Sequence, residues 1–356
     1  MKILNVGDLH LNATEMRNTV KMKENNKVML KNLIKYVIED EEIMLVNFEG
    51  DLQHKTPQDM QEVAEWRKYF RLLGKIMQKR MKGKKFNFVG LDEKTKKKLE
   101  NGQVYPVVAC RGNHDDEITL KNEEKQYTFF DELLSEGLII NPKGVAFKEN
   151  GQKFYIDIRN YGHADRELPK RIREDDSWFV IAVLHDNVLM PESPLWMLKS
   201  KGKEGVYDAT KVMKGVNIGV LGHIHENVDP IYIEMEDGSV GVLWQTGAMG
   251  RTSFKEENLR DFGYCGLIDT NNLEEFGLVE IDVIPAAEYF SFEKALAAKK
   301  SAKDYKDFSL RMETVERKHE DPRDVIRALE DVDDEVKDFG VEILTLIHDR
   351  AGQQGA

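Results

Sequence analysis

Apolar runs and helically spaced segments alternate along most of the chain, and several apolar runs stop at a glycine turn. Residues 2–7 read as a buried strand closing at Gly7, and Ile43 to Phe48 as a second one closing at Gly50. Between them, Val28, Leu30, Leu33, Ile34, Val37 and Ile38 recur at helical spacing over 27–40. Strand, helix and strand in that order predict βαβ construction. Residues 58–85 predict a long helix with Val63, Trp66, Phe70, Leu73 and Met77 on one side, before a strand at 104–109. A helix over 125–137 follows, then short strands of a second sheet at 138–140, 145–147 and 154–158.

Two further apolar runs, 178–184 and 217–221, land on His185 and on Gly222-His223. Strands continue at 231–235 and 240–244 around an Asp237-Gly238 turn, then at 263–269 and 276–284. After Pro285 the pattern changes to charge-rich helical segments at 291–307 and 323–347, the second opened by Asp321-Pro322. The expected organisation is one large α/β domain over 1–288, a basic helical insertion at about 56–102, and a helical C-terminal module over 289–356.

Charge refines this picture. The chain of 356 residues has a net charge of -12, which excludes indiscriminate attraction to nucleic acid, so a polyanionic substrate needs a local basic patch. One stretch supplies it: Trp66 to Lys98 holds thirteen Lys or Arg against Asp92 and Glu93. That stretch reads either as a solvated face or as a surface that tracks phosphates. Two cysteines, Cys110 and Cys265, exclude a disulfide framework and a zinc knuckle. No leader-like segment and no apolar run of membrane-spanning length is present, so a cytoplasmic protein with no membrane partner is expected.

The candidate chemistry lies at the strand ends. Asp8-Leu9-His10, Gly50-Asp51-Leu52-Gln53-His54, Gly112-Asn113-His114-Asp115, His185 and Gly222-His223-Ile224-His225 each follow an expected strand. Asp8 and His10, like His223 and His225, stand two apart, so extended backbone would aim both members of each pair at one place. Imidazole, carboxylate and amide oxygen together suit Mn, Fe or Zn. Two such ions about 4 Å apart clamp an in-line displacement at phosphorus, and Asp51 is the candidate for bridging them. Taken singly, His185 reads as a structural histidine and Gly-Asn-His-Asp as an ordinary turn; their joint order favours a metal site.

In that order these motifs resemble the calcineurin-like metallophosphoesterases, over about residues 1–285. The resemblance implies two mixed β-sheets packed as a sandwich and flanked by helices, a four-layer αββα fold. It also implies Asp8, His10, Asp51 and His225 on one metal, Asp51, Asn113, His185 and His223 on the other, and His114 on the scissile phosphate. Gly50-Asp51-Leu52-Gln53-His54 with Pro57, Asp115-Asp116, His185-Asp186-Asn187, and Gln245-Thr246-Gly247-Ala248 with Thr252-Ser253 are similar to the SbcD-type nuclease of double-strand-break repair. Thr246 stands where that family has proline. This finer resemblance implies two divalent ions, Mn foremost with Mg also admissible, DNA as substrate, His54 acting beside His114, an SMC-like ATPase partner and a homodimer.

The region after 286 is too short and too helical for the usual DNA-capping domain, and the basic insertion is longer than that family's. Both fit a compact, divergent form such as a phage-encoded one acting in a host cytoplasm. A phosphatase or nucleotide phosphodiesterase on the same scaffold is the alternative. Leu52-Gln53-His54 stands where protein phosphatases carry Asp-Arg, which counts against that branch. A non-catalytic scaffold is the third reading, opposed by the complete donor set.

Overall fold

Aliphatic runs with almost every residue buried suit strands covered on both faces. A computed structural model describes residues 1–11, 21–54, 60–115, 118–119, 125–126, 128–189, 206–235, 237–251 and 260–290, all within the unit Met1–Ser291. In it β1 (Lys2–Val6) and β2 (Ile43–Phe48) pair in parallel. After a short β3 (Asn87–Val89), β4 (Val108–Ala109) joins β2. The five-stranded sheet runs Asn272–Asp282, Phe262–Asp269, β1, β2, β4. A seven-stranded sheet runs Val228–Glu234, Val240–Gln245, Ile218–Gly222, Trp178–His185, Gln152–Arg159, Gly144–Glu149, β3. Its four inner strands, from Val240–Gln245 to Gln152–Arg159, are mutually parallel.

Alternation along the strands divides their side chains between separate cores. Ile3, Leu45 and Val108 meet Ile156, Ile181, Val183 and Val220 between the sheets. Leu4, Val6, Val46 and Phe48 face the other way, onto α1 (Met22–Glu39) and α2 (Met60–Met81). On the far side of the second sheet, Tyr155, Ala182, Leu184 and Leu243 pack against Ile172 and Val212 of the short helices Lys170–Arg173 and Ala209–Val212. The result is the expected sandwich of two mixed sheets flanked by helices.

The sequence pattern misplaces several boundaries for identifiable reasons. α1 begins at Met22 rather than 27 because buried Asn25, whose side-chain oxygen accepts from Arg251 at 2.6 Å, breaks the apolar spacing. The strand expected at 104–109 shrinks to Val108–Ala109, because Pro106 has no N–H for a ladder. The run 138–140 forms a single bridge, Ile140 to Val108.

The basic stretch is built into the fold rather than appended to it. Trp66, Phe70, Leu73 and Met77 of α2 are buried, with the Phe70 ring 5.3 Å from that of Phe48. β3 extends the second sheet by pairing with Gly144–Glu149. A three-residue strand inside a lysine-rich run carries no period of its own, so periodicity cannot find it. α3 (Glu93–Glu100) follows, capped by the Asp92 carboxylate, which accepts the Thr95 N–H at 2.8 Å. The Arg80 guanidinium donates to the carbonyls of Val37, Ile38, Asp40 and Ile43 at 2.5 to 3.3 Å, fastening the end of α2 to the start of β2. Arg67 pairs with Glu132 and Glu136, at 2.5 and 3.2 Å.

No helix among the described residues is long and apolar enough to cross a membrane. The expected C-terminal helices, and with them Pro57, Asp116, Thr252 and Ser253, lie outside the described residues.

Because α2 closes one face of the first sheet, Trp66→Ala is expected to lower the unfolding free energy by about 3–5 kcal/mol in denaturant titrations. Exposed Lys68→Ala should change it by less than about 0.5 kcal/mol.

Candidate metal centre

β1, β2 and β4 of one sheet, and Trp178–His185 and Ile218–Gly222 of the other, end beside one another. The loops that follow bring every expected donor to one place. Asp8, His10 and His225 present ligand atoms all within 4.8 Å of one another, as do Asp51, His185 and His223, and as do His10, His54 and His114. His10 Nε2 is 2.8 Å from His225 Nε2. Asn113 Oδ1 lies 3.1 Å from His185 Nε2 and 2.9 Å from His223 Nδ1. Asp51 Oδ2 sits between the groups, 3.3 Å from His185 Nε2, 3.8 Å from His10 Nε2 and 3.9 Å from His114 Nε2.

The backbone reaches this arrangement differently from the extended pairs expected. His10, Asp51 and His223 adopt left-handed φ values of 46°, 45° and 80°. Non-glycine residues there carry strain of about 1–3 kcal/mol each, which persists only where the surroundings enforce it. The turn at 223 divides one pair between places, His223 going to Asn113 and His185 and His225 to His10, whereas Asp8 and His10 stay together beside His225. Gly50, at φ 125°, and Gly112 bring loops closer than a side chain permits. A Cβ on Gly112 would stand 2.1 Å from Asp51 Oδ1, and one on Gly50 2.3 Å from His185 Nδ1.

Several residues to which sequence gave no role hold these loops. The buried Asp115 carboxylate accepts N–H bonds from Leu52 at 3.0 Å and Gly112 at 3.1 Å, locking the Asp51 loop to the Asn113 loop. Gln53 donates to the His114 carbonyl at 3.0 Å and accepts from the Phe129 N–H at 2.8 Å. The Asp51 carboxylate accepts the His114 N–H at 2.9 Å, and that of Asp8 accepts the His223 N–H at 3.0 Å, so both expected ligands also fix the turns. Buried Glu49 accepts from the Thr246 hydroxyl at 2.8 and 2.9 Å, a bond that proline at 246 could not make. Asp115 and Gln53 lie inside the quoted motifs, but the Tyr161 ring, 5.9 Å from that of His223, left no signal in the sequence.

Electrostatics favour a cation. Burial pushes His10 down to about 3 and His223 down to about 4, so both imidazoles are neutral near pH 7 and keep a lone pair to donate. Burial opposes charge on His185 as well, yet the carboxylates of Asp8 and Asp51 outweigh it and hold that imidazole well above its ordinary value. Burial would raise Asp8 and Asp51, but His185 keeps both below the usual carboxylate range. Asp115, with burial and the Asp51 charge acting together, is pushed up to about 8.

The donor set fits a divalent ion. Asp8 Oδ1 is buried and accepts no hydrogen bond among the described residues, and the proton on His185 is what metal binding must displace. Asp8, His10 and His225 could hold one ion, and Asp51, Asn113, His185 and His223 another.

Two mixed sheets with these donors at their joined strand ends define a metal-dependent phosphoesterase scaffold. The model of the calcineurin-like phosphoesterases matches residues 1–227, and the chain belongs to that family, whose members hydrolyse esters with divalent metals. Solved structures similar to it include an archaeal phosphodiesterase, at 14% identity and TM-score 0.32, covering 79% of this chain and 100% of that one. A hypothetical protein from Thermus thermophilus matches at 11% identity and TM-score 0.36, again over 79% of this chain and 100% of that one. No curated protein matches the chain in sequence.

Gly112→Ala should drive Asp51 out of place. Elemental analysis is expected to show loss of bound divalent metal, with the far-ultraviolet circular dichroism of the wild type retained.

Proposed function

We propose that this protein is a two-metal phosphodiesterase that cleaves DNA, a nuclease of the SbcD type working with Mn. The observation that supports this reading above the others is His54. Its ring stacks on that of His114 at a centroid distance of 5.1 Å and meets the His10 ring edge-on at 5.3 Å. Beyond the expected ligands, the centre therefore presents two half-buried imidazoles. A DNA phosphodiester expels a poor alkoxide, so a proton donor beside the reacting phosphate is worth about 10²–10⁴-fold in rate. A simple aryl ester, with its better leaving group, needs that donor less.

When bound, the two ions supply Lewis acidity and an activated water. The side chains do the rest. His114 Nδ1 lies 2.8 Å from the His54 carbonyl oxygen, which can only accept, so Nδ1 carries the hydrogen and Nε2 faces the centre. In this reading His114 Nε2 contacts the phosphate, and His54 hands a proton to the departing oxygen. Asp51, held between the two ligand groups, positions both. The resemblance to SbcD-type nucleases extends the proposal to a homodimer and to an SMC-like ATPase partner; the C-terminal residues 289–356 are the docking candidate for the ATPase, the alternative being that they pack on their own domain.

The test is degradation of labelled linear, nicked and hairpin DNA in Mn and in Mg, beside turnover of cyclic nucleotides and p-nitrophenyl esters. Mn-dependent cleavage of linear DNA is expected. Full turnover of the small esters with none of DNA would assign the protein to the nucleotide phosphodiesterases or phosphatases instead. His114→Ala and Asp51→Asn are expected to abolish hydrolysis with the fold intact. His54→Ala should slow DNA cleavage by about 10²-fold while the metal content stays at the wild-type level. Parallel loss of metal and activity would make His54 a ligand instead.

A further inference from the structure

A cavity of about 740 Å³ opens between the end of α2, β3 and α3, and the metal centre makes no use of it. It lies at the other end of the first sheet. Arg80, in the last turn of α2, bonds the Ile43 carbonyl where β2 begins, whereas Asp51 follows the end of β2. Six strand residues separate the two places by roughly 20 Å.

Lysines enter this cavity from three elements: Lys75 and Lys79 from α2, Lys82 and Lys84 from the turn after it, and Lys96 from α3. Glu100 is the acidic residue of its lining. Lys96 is neutralised by Glu93 at 2.7 Å, but Lys75, Lys79, Lys82 and Lys84 have no acidic partner among the described residues. A helix C-terminus carries only about half a negative charge, so complementing α2 leaves most of this positive charge unbalanced. In a chain of net charge -12, that is a place built for an anion.

The remaining lining is specific. Phe86 is half-buried and lines the cavity, its ring 5.3 Å from that of Phe147 and 6.5 Å from that of Phe88. Gln78 Nε2 is buried with no hydrogen-bond acceptor among the described residues, and Asn87 and Asn101 add further amides. A π-face beside amides and surplus lysines matches a base joined to phosphates. The volume lies within the range of about 300–1,000 Å³ of small-molecule sites.

We propose that this cavity binds a nucleoside polyphosphate, with its phosphates on Lys75, Lys79, Lys82 and Lys84 and its base on Phe86. The same chemistry is offered by a free nucleotide and by the phosphorylated end of a single strand. The inference does not rest on the substrate of the metal centre.

Calorimetric titration of the full chain in EDTA with ATP, inorganic tripolyphosphate and a 5′-phosphorylated single-stranded 12-mer tests it. Chelation removes any metal-borne binding. Wild type is expected to bind ATP, and Lys75→Gln/Lys79→Gln/Lys84→Gln to weaken it at least about tenfold, the equivalent of about 1.4 kcal/mol. Mn-dependent turnover of a p-nitrophenyl ester should stay unchanged in that variant, reporting an intact fold and metal centre. Phe86→Leu, which keeps the apolar volume, should weaken ATP but not tripolyphosphate. Tighter binding of the 12-mer than of ATP identifies a strand end as the source, and the reverse a free nucleotide. No ATP binding by wild type, equal affinity in the triple variant, or tripolyphosphate binding as tightly as ATP would overturn the proposal.

Discussion

Two almost fully buried carboxylates, Asp8 and Asp51, lie within 3.4 and 3.3 Å of a single buried imidazole, His185. Buried negative charge is tolerated only when it is paired, hydrogen-bonded or neutralised by a cation. That requirement governs the surrounding architecture. The first sheet supplies both carboxylates and the second supplies His185, so the carboxylates gain this partner only when the two sheets are closed against each other. The Asp8 carboxylate accepts the His223 N–H, and that of Asp51 accepts the His114 N–H. Both therefore fix the turns that deliver the remaining donors.

The strain at this edge of the sandwich is concentrated in the same residues. His10, Asp51 and His223 are held in the left-handed region by neighbours that leave no alternative. Gly50 and Gly112 make the close approach possible, and Asp115 clasps two loops through their N–H groups. Support of this kind around a metal site sets ligand orientation as much as the ligands do. It also explains why the strands ending here are so thoroughly buried: a floor that shifted would move donors from opposite sheets relative to each other.

The donors are legible in the sequence because each follows an apolar strand and stands in a short motif of glycines, acids and histidines. The two sheets are legible for the same reason, since burial on both faces writes continuous apolar runs. Less visible is anything defined by partners distant along the chain. The bracing by Asp115 depends on Leu52 and Gly112 meeting across the site, and the Glu49–Thr246 bond joins residues that no local pattern connects. β3 is hidden by its lysine-rich flanks, and the start of α1 by buried polar side chains that hydrogen bonds satisfy. At Asp8-Leu9-His10 and His223-Ile224-His225 positive φ values, which spacing cannot reveal, replace the expected extended backbone by turns; Asp8 and His10 still meet at one place, while His223 and His225 part. Net charge misleads in one further respect: the basic stretch is partly structural, with Arg67 and Arg80 consumed in ion pairs and carbonyl contacts.

The contact between the His223 amide and Asp8 spans 215 positions of the chain. Closing so long a loop is entropically costly and slow to reach by chance, so such contacts form after local ones. A polypeptide emerging from the ribosome would expose Asp8, His10 and Asp51 long before His185, His223 and His225 were synthesised. A donor set assembled from distant parts of the chain is thus completed only at the last stage of maturation, when the turn carrying His223 closes on Asp8.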